Sequence, residues 1–76
     1  MSNDYNEKQF LDSLAKRIAD LRKTHGMTQE KLADKADIDR VALANIETGK
    51  RRPTVTTVYK ISRALGVPVV DVFSKL

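Results

Sequence analysis

Residues 27–50 constrain this chain more tightly than any other stretch, because local signals alone set two short helices at a fixed angle. Thr28 and Asp39 are good N-cap residues, with side-chain oxygens able to accept a first-turn backbone N–H. Each cap is flanked by a hydrophobic staple, Met27 with Leu32 and Ile38 with Leu43, which fixes how the chain turns into the helix behind it. Only residues 37–39 join the two helices, expected over 28–36 and 40–48. Side chains of the second helix step round by about 100° per residue. Ala42, Leu43 and Ile46 fall on one side, and Arg40, Val41, Ala44, Asn45 and Thr48 on the other. The first set suits packing on the rest of the protein. The second is small and polar enough to lie against another molecule.

The remainder supplies a scaffold of the same kind. Gly26, Gly49 and Gly66 each follow a helix-periodic stretch, where a left-handed residue commonly closes a helix. A first helix is expected over residues 7–25, with Phe10, Leu14, Ile18 and Leu21 on one face. Asn6 and Gln9 have the composition of a capping box at its start. Thr54 can cap a fourth helix over residues 55–65, with Val58, Ile61 and Leu65 inward, and a short fifth is expected over 69–74. No strand, repeat or linker is visible, so residues 1–76 read as one all-α domain behind a polar tail, 1–6.

Composition narrows the function classes. A 76-residue chain buries only about 60% of the surface its unfolded form exposes. There is no cysteine and one histidine, His25, so neither disulfides nor a zinc site is expected and no cofactor is implied. His25 reads as a surface residue near a helix C-terminus. No apolar run approaches the roughly 18 residues that span a bilayer, and the first residues are polar. A cytoplasmic protein without a membrane role is expected. No pairing of acids has recognisable catalytic spacing, which argues against an enzyme. The balance is basic, 14 Lys+Arg against 10 Asp+Glu. Lys50, Arg51, Arg52, Lys60 and Arg63 follow one another without an intervening acid, which points to an anionic partner.

The outer face of the second short helix has the chemistry of the DNA major groove. Arg40 can donate twice to guanine, Asn45 can pair with adenine, and the Val41 methyls can meet that of thymine. Asp39 can accept from a cytosine amine, although capping is its first role. These residues sit largely toward the N-terminal end of the helix, the end that reads bases. Gln29, at the start of the preceding helix, can bond a phosphate, as can Thr48, Lys50, Arg51 and Arg52 beyond the reading helix; such contacts position without specifying sequence.

Over residues 10–73 the chain resembles the Cro/phage-repressor-type helix-turn-helix family, the XRE family. The resemblance rests on Leu21-Arg22, Met27-Thr28-Gln29-Glu30-Lys31-Leu32-Ala33, Ile46-Glu47-Thr48-Gly49-Lys50, Pro53 and Ile61-Ser62-Arg63-Ala64-Leu65-Gly66-Val67. It implies a five-helix, lambda-repressor-like DNA-binding domain with the helix-turn-helix at residues 28–48. It also implies base contacts from Asp39, Arg40, Val41 and Asn45. The residue matching Gln29 contacts phosphate and braces the reading helix, and those matching Arg22 and Glu47 form a buried ion pair. Two departures stand out: Asp37 replaces the glycine common in the turn, and Ala44 replaces a longer polar side chain, leaving fewer reading groups and more weight on DNA shape.

The last ten residues, 67–76, carry more apolar surface than one short helix needs. Phe73 is the expected core member, as are Phe10 and Tyr59. Val69, Val72 and Leu76 are expected at a two-fold contact, which would place two reading helices about 34 Å apart on a near-palindromic operator. The expected function is a homodimeric, sequence-specific regulator on double-stranded DNA, either a repressor or a restriction–modification controller. The alternative is an antitoxin-like module that binds an unknown protein partner and regulates its own operon. An RNA-binding reading finds too few spare aromatics for base stacking.

Overall fold

Side-chain caps start four of the helices in the computed structural model, which describes residues 6–76. Asn6 opens α1 (Glu7–Thr24) through a reciprocal capping box. Its Oδ1 accepts from the Gln9 N–H at 2.9 Å, and its own N–H donates to Gln9 Oε1 at 2.9 Å. Thr28 opens α2 (Gln29–Ala36), Asp39 opens α3 (Arg40–Glu47) and Thr54 opens α4 (Val55–Leu65). Each accepts from the backbone N–H three residues on. The last helix, α5 (Val69–Val72), is a single turn behind Pro68 with no side-chain cap, two residues shorter than its sequence suggests. Residues 1–5 of the polar tail lie outside the described residues. Among those described, no helix is long and apolar enough to cross a membrane.

The turn between α2 and α3 is closed by an aspartate. Asp37 adopts φ 57° and ψ 49°, while its N–H and that of Ile38 donate to the carbonyls of Asp34 and Ala33 at 3.2 and 3.0 Å. Gly66 ends α4 with the same closure at φ 76°. Asp37 therefore does with a Cβ what glycine does without one, at some steric cost.

The helices pack in a ring that does not follow chain order: α1 meets α3, α3 meets α2, α2 meets α4, α4 meets α5, and α5 returns to α1. Inside it lie Leu14, Ile18 and Leu21 of α1, Leu32 of α2, Leu43 and Ile46 of α3, Val58, Ile61 and Leu65 of α4, and Val72 of α5. Arg17 closes the ring, donating from Nε and Nη2 to the Asp71 carbonyl at 3.1 and 2.9 Å.

Four expectations fail here, each for a geometric reason. Val72 is 0% exposed, so it is a core residue and not part of a two-fold contact. Phe73 is 42% exposed, because it follows the end of α5 rather than pointing into the ring. Tyr59 is 49% exposed, lying one helical step off the buried Val58, Ile61 and Leu65 stripe. Phe10 is 36% exposed, since cover over α1 begins only at Leu14. No aromatic side chain is buried in the centre among the described residues; aliphatic ones fill it, with Ser62 beside them.

One polar cluster lies inside the ring. Arg22 of α1 donates from Nε to Glu47 Oε2 at 2.8 Å and from Nη2 to Oε1 at 3.0 Å. Its Nη1 donates to the Met27 carbonyl at 2.8 Å. The Gln29 amide of α2 donates to Glu47 Oε1 at 3.0 Å. The Arg22 and Glu47 side chains are 12% and 3% exposed, so α3 is tied to α1 and α2 by a desolvated, hydrogen-bonded carboxylate.

Chemical denaturation tests these assignments. Arg22→Ala leaves Glu47 buried without its counter-charge and is expected to cost about 3–5 kcal/mol; unchanged stability would remove the pair from the fold's supports. Val72→Ala is expected to cost roughly 2 kcal/mol or more through lost burial and a residual void. Asp37→Gly is expected to add about 0.5–1 kcal/mol by relieving the left-handed position, and a loss would show that the Asp37 side chain supports the turn.

Candidate nucleic-acid interface

The reading helix is two-sided because its inner positions are the ones the ring consumes. Leu43 is 0% exposed and Ile46 3%, while Glu47 is held by Arg22 and Gln29. What remains outward is Arg40, exposed, Val41, 55% exposed, and Ala44 and Asn45, both half-buried. Asp39, also exposed, commits Oδ2 to the Ala42 N–H at 3.1 Å; its other oxygen stays available as an acceptor.

The neighbouring polar residues divide by what they have left to give. Gln29 commits one amide hydrogen to Glu47, and a primary amide has a second to offer a phosphate. Thr48 does not fit the role expected of it. Its hydroxyl lies 3.1 Å from the Ala44 carbonyl and 3.3 Å from that of Asn45, so its proton serves the end of its own helix. Lys50 and Arg51 are exposed, and their backbone N–H groups both donate to the Asn45 carbonyl, at 2.9 and 3.1 Å. That bifurcated closure sets the direction in which the basic loop leaves α3.

Arg52 carries a contact absent from the sequence reading. Its Nη1 lies 3.1 Å from Oε2 of Glu7, in the first turn of α1. No sequence signal joins two residues so far apart. The loop also approaches α1 at Gly49, where a Cβ would stand 3.0 Å from the exposed Asp12 Oδ1, which can shift; Gly49 has φ 78°, so the position needs glycine for its backbone. His25, the lone imidazole, places Nδ1 2.8 Å from the Leu21 carbonyl at the end of α1, away from these groups in the chain and engaged with its own helix.

Comparison with known proteins agrees with this geometry. The family model described as Helix-turn-helix matches residues 18–72, which include all of α2, α3 and α4. An uncharacterized HTH-type transcriptional regulator of Archaeoglobus fulgidus is 39% identical over 57 residues, 75% of this chain and 81% of that protein. The immunity repressor protein of Bacillus phage phi105 is 37% identical over 57 residues, 75% of this chain and 40% of its own length. Among solved structures, the restriction-modification controller protein C.AhdI from Aeromonas hydrophila has a TM-score of 0.81 at 28% identity, with 83% of this chain and 96% of that chain covered. The chain belongs to the XRE-type helix-turn-helix family of transcriptional regulators.

Proposed function

We propose that this protein acts in the cytoplasm, without catalysis, as a homodimer that reads a near-palindromic operator by laying α3 in the major groove. The two-sidedness of α3 carries the reading: Leu43 and Ile46 are consumed by the core while Arg40 and Val41 stand outward. Arg40 donates to a guanine edge, Asn45 pairs with an adenine, Val41 meets a thymine methyl, and Asp39 offers its free oxygen to a cytosine amine. Gln29, Lys50, Arg51 and Arg52 hold the backbone. Thr48 is left out, since its hydroxyl proton is spent.

Exposure supports a two-fold contact through Val69, Val70 and Phe73, which are 40%, 65% and 42% exposed, with Leu76, half-buried against the core, at its edge. An isologous contact through this segment sets the spacing of two reading helices. The likeness to C.AhdI supports a controller-type regulator, and the likeness to a phage immunity repressor supports repression as the outcome at one or more sites.

Selection of bound duplexes from a random library at near-physiological salt tests the reading. A palindrome with half-sites about one helical turn apart is the expected product; unenriched DNA would exclude a sequence reader. On the selected site, Arg40→Ala is expected to cost about 1–3 kcal/mol and to relax discrimination at one base pair. Arg52→Ala is expected to weaken every sequence alike and to flatten the salt dependence by about one unit of slope. If the two variants behave identically, Arg40 contacts phosphate and α3 lies in a different register.

A further inference from the structure

The contact between Arg52 and Glu7 bears on how the basic loop meets DNA. The two side chains are 71% and 69% exposed, and a pair so open to water is weak and screened by salt. A phosphate can take both edges of a guanidinium in a charge-assisted fork, whereas the Glu7 carboxylate meets Arg52 with a closest approach of 3.1 Å, Oε2 to Nη1. The carboxylate is therefore a displaceable occupant of a phosphate-binding side chain.

The surroundings show that the loop rests on an acidic stretch of α1. Between Thr48 and Arg63 the chain has no acid of its own, so the carboxylates that face the loop come from elsewhere. Asp39 shares a cleft with Arg51 and Arg52 but has one oxygen on the Ala42 N–H. The others are two acids of α1, of which Glu7 is the first. Asp12 is the second: its Oδ1 lies against Gly49, while its Oδ2 is 2.8 Å from Lys8 Nζ. Glu7, Asp12, Gly49, Lys50 and Arg52 together line a cleft of about 260 Å³ between the start of α1 and the loop. Asp12 is already matched by Lys8, and Glu7 is the acid of this cleft that pairs with a cation of the basic loop.

We propose that Glu7 is an internal anion that occupies Arg52 in the free protein and must release it before Arg52 closes on a DNA phosphate. The proposal rests on the DNA-binding reading above and adds a control on it: the first turn of α1 lowers the affinity of the loop for phosphate on every sequence, leaving base readout by α3 untouched. Occupation is strongest where the ion pair is least screened, so its effect is greatest at low salt.

The test is a double-mutant cycle on the full chain, read as the dissociation constant for the selected operator and for an unrelated duplex across a salt series. Glu7→Gln is expected to tighten both by about two- to five-fold at low salt, the range set by exposed ion pairs, with the gain shrinking as salt rises. In an Arg52→Ala background the same substitution is expected to change neither. An equal gain in that background would overturn the proposal, since only net charge would then be at work. Weaker binding by Glu7→Gln would overturn it too, because Glu7 would then orient Arg52 for the phosphate. A wild-type protein that binds neither duplex would sink the DNA-binding reading itself, whereas a wild type that binds while Glu7→Gln gains nothing would sink only the role of Glu7.

Discussion

The placement of α3 depends on one carboxylate. Glu47 sits inside the ring with both oxygens committed, to two nitrogens of Arg22 and to the Gln29 amide. A buried ion pair of this kind adds little net stability over a well-packed apolar substitute, because desolvation offsets most of the attraction. What it does here is restrict geometry. Apolar packing of Leu43 and Ile46 would tolerate small rotations of α3 about its axis, but three hydrogen bonds to a carboxylate near its end would not. Since Arg22 also holds the Met27 carbonyl, ahead of α2, the same guanidinium aligns the approach to one helix and the end of the other.

Around that anchor, the division of labour on α3 follows from its length. Eight residues give about two turns, so each position serves either the core or the surface. Ala42 and Ala44 are both half-buried, small enough to fit on either side without taking space from larger neighbours. The cost is an outward face with few long side chains, Arg40 and Asn45 being the longer polar ones on it. Caps and staples relieve α3 of the need for high intrinsic propensity, since Asp39 starts it and the backbone closures on Asn45 end it.

Most of the helical plan was legible because it is written locally. Thr28, Asp39 and Thr54 cap the helices their spacing suggests, and the stripes led by Ile18, Leu43 and Ile61 are buried as their periodicity requires. The failures are of a different kind. Periodicity points Phe10 inward with Leu14, aromatic character points Tyr59 and Phe73 inward, and Val72 reads as surplus for an outer contact; the structure reverses all four. Hydrophobicity says that a side chain prefers burial; it does not say whether another helix covers that position, and in a small domain much apolar surface must stay exposed. The Glu7–Arg52 contact was illegible for a related reason, since it joins helix and loop only through the tertiary path. Arg22 and Glu47 are equally distant, yet the family resemblance carried that pair into view, whereas an exposed pair leaves no such pattern.

The contact that closes the ring also has a meaning in time. Arg17 belongs to α1, and the carbonyl it holds belongs to Asp71 of α5, made much later in the chain. A nascent chain can carry Arg40, Asn45 and the whole basic loop before α5 exists, but α5 supplies Val72, the side chain that joins the last helix to the core. Short helices are marginal without such packing, so a chain paused before α5 holds the Arg22, Gln29 and Glu47 anchor of α3 but lacks the helix that closes the core between α1 and α4. The single turn of α5 therefore completes the core, while the outward face of α3 is already specified by residues made before it.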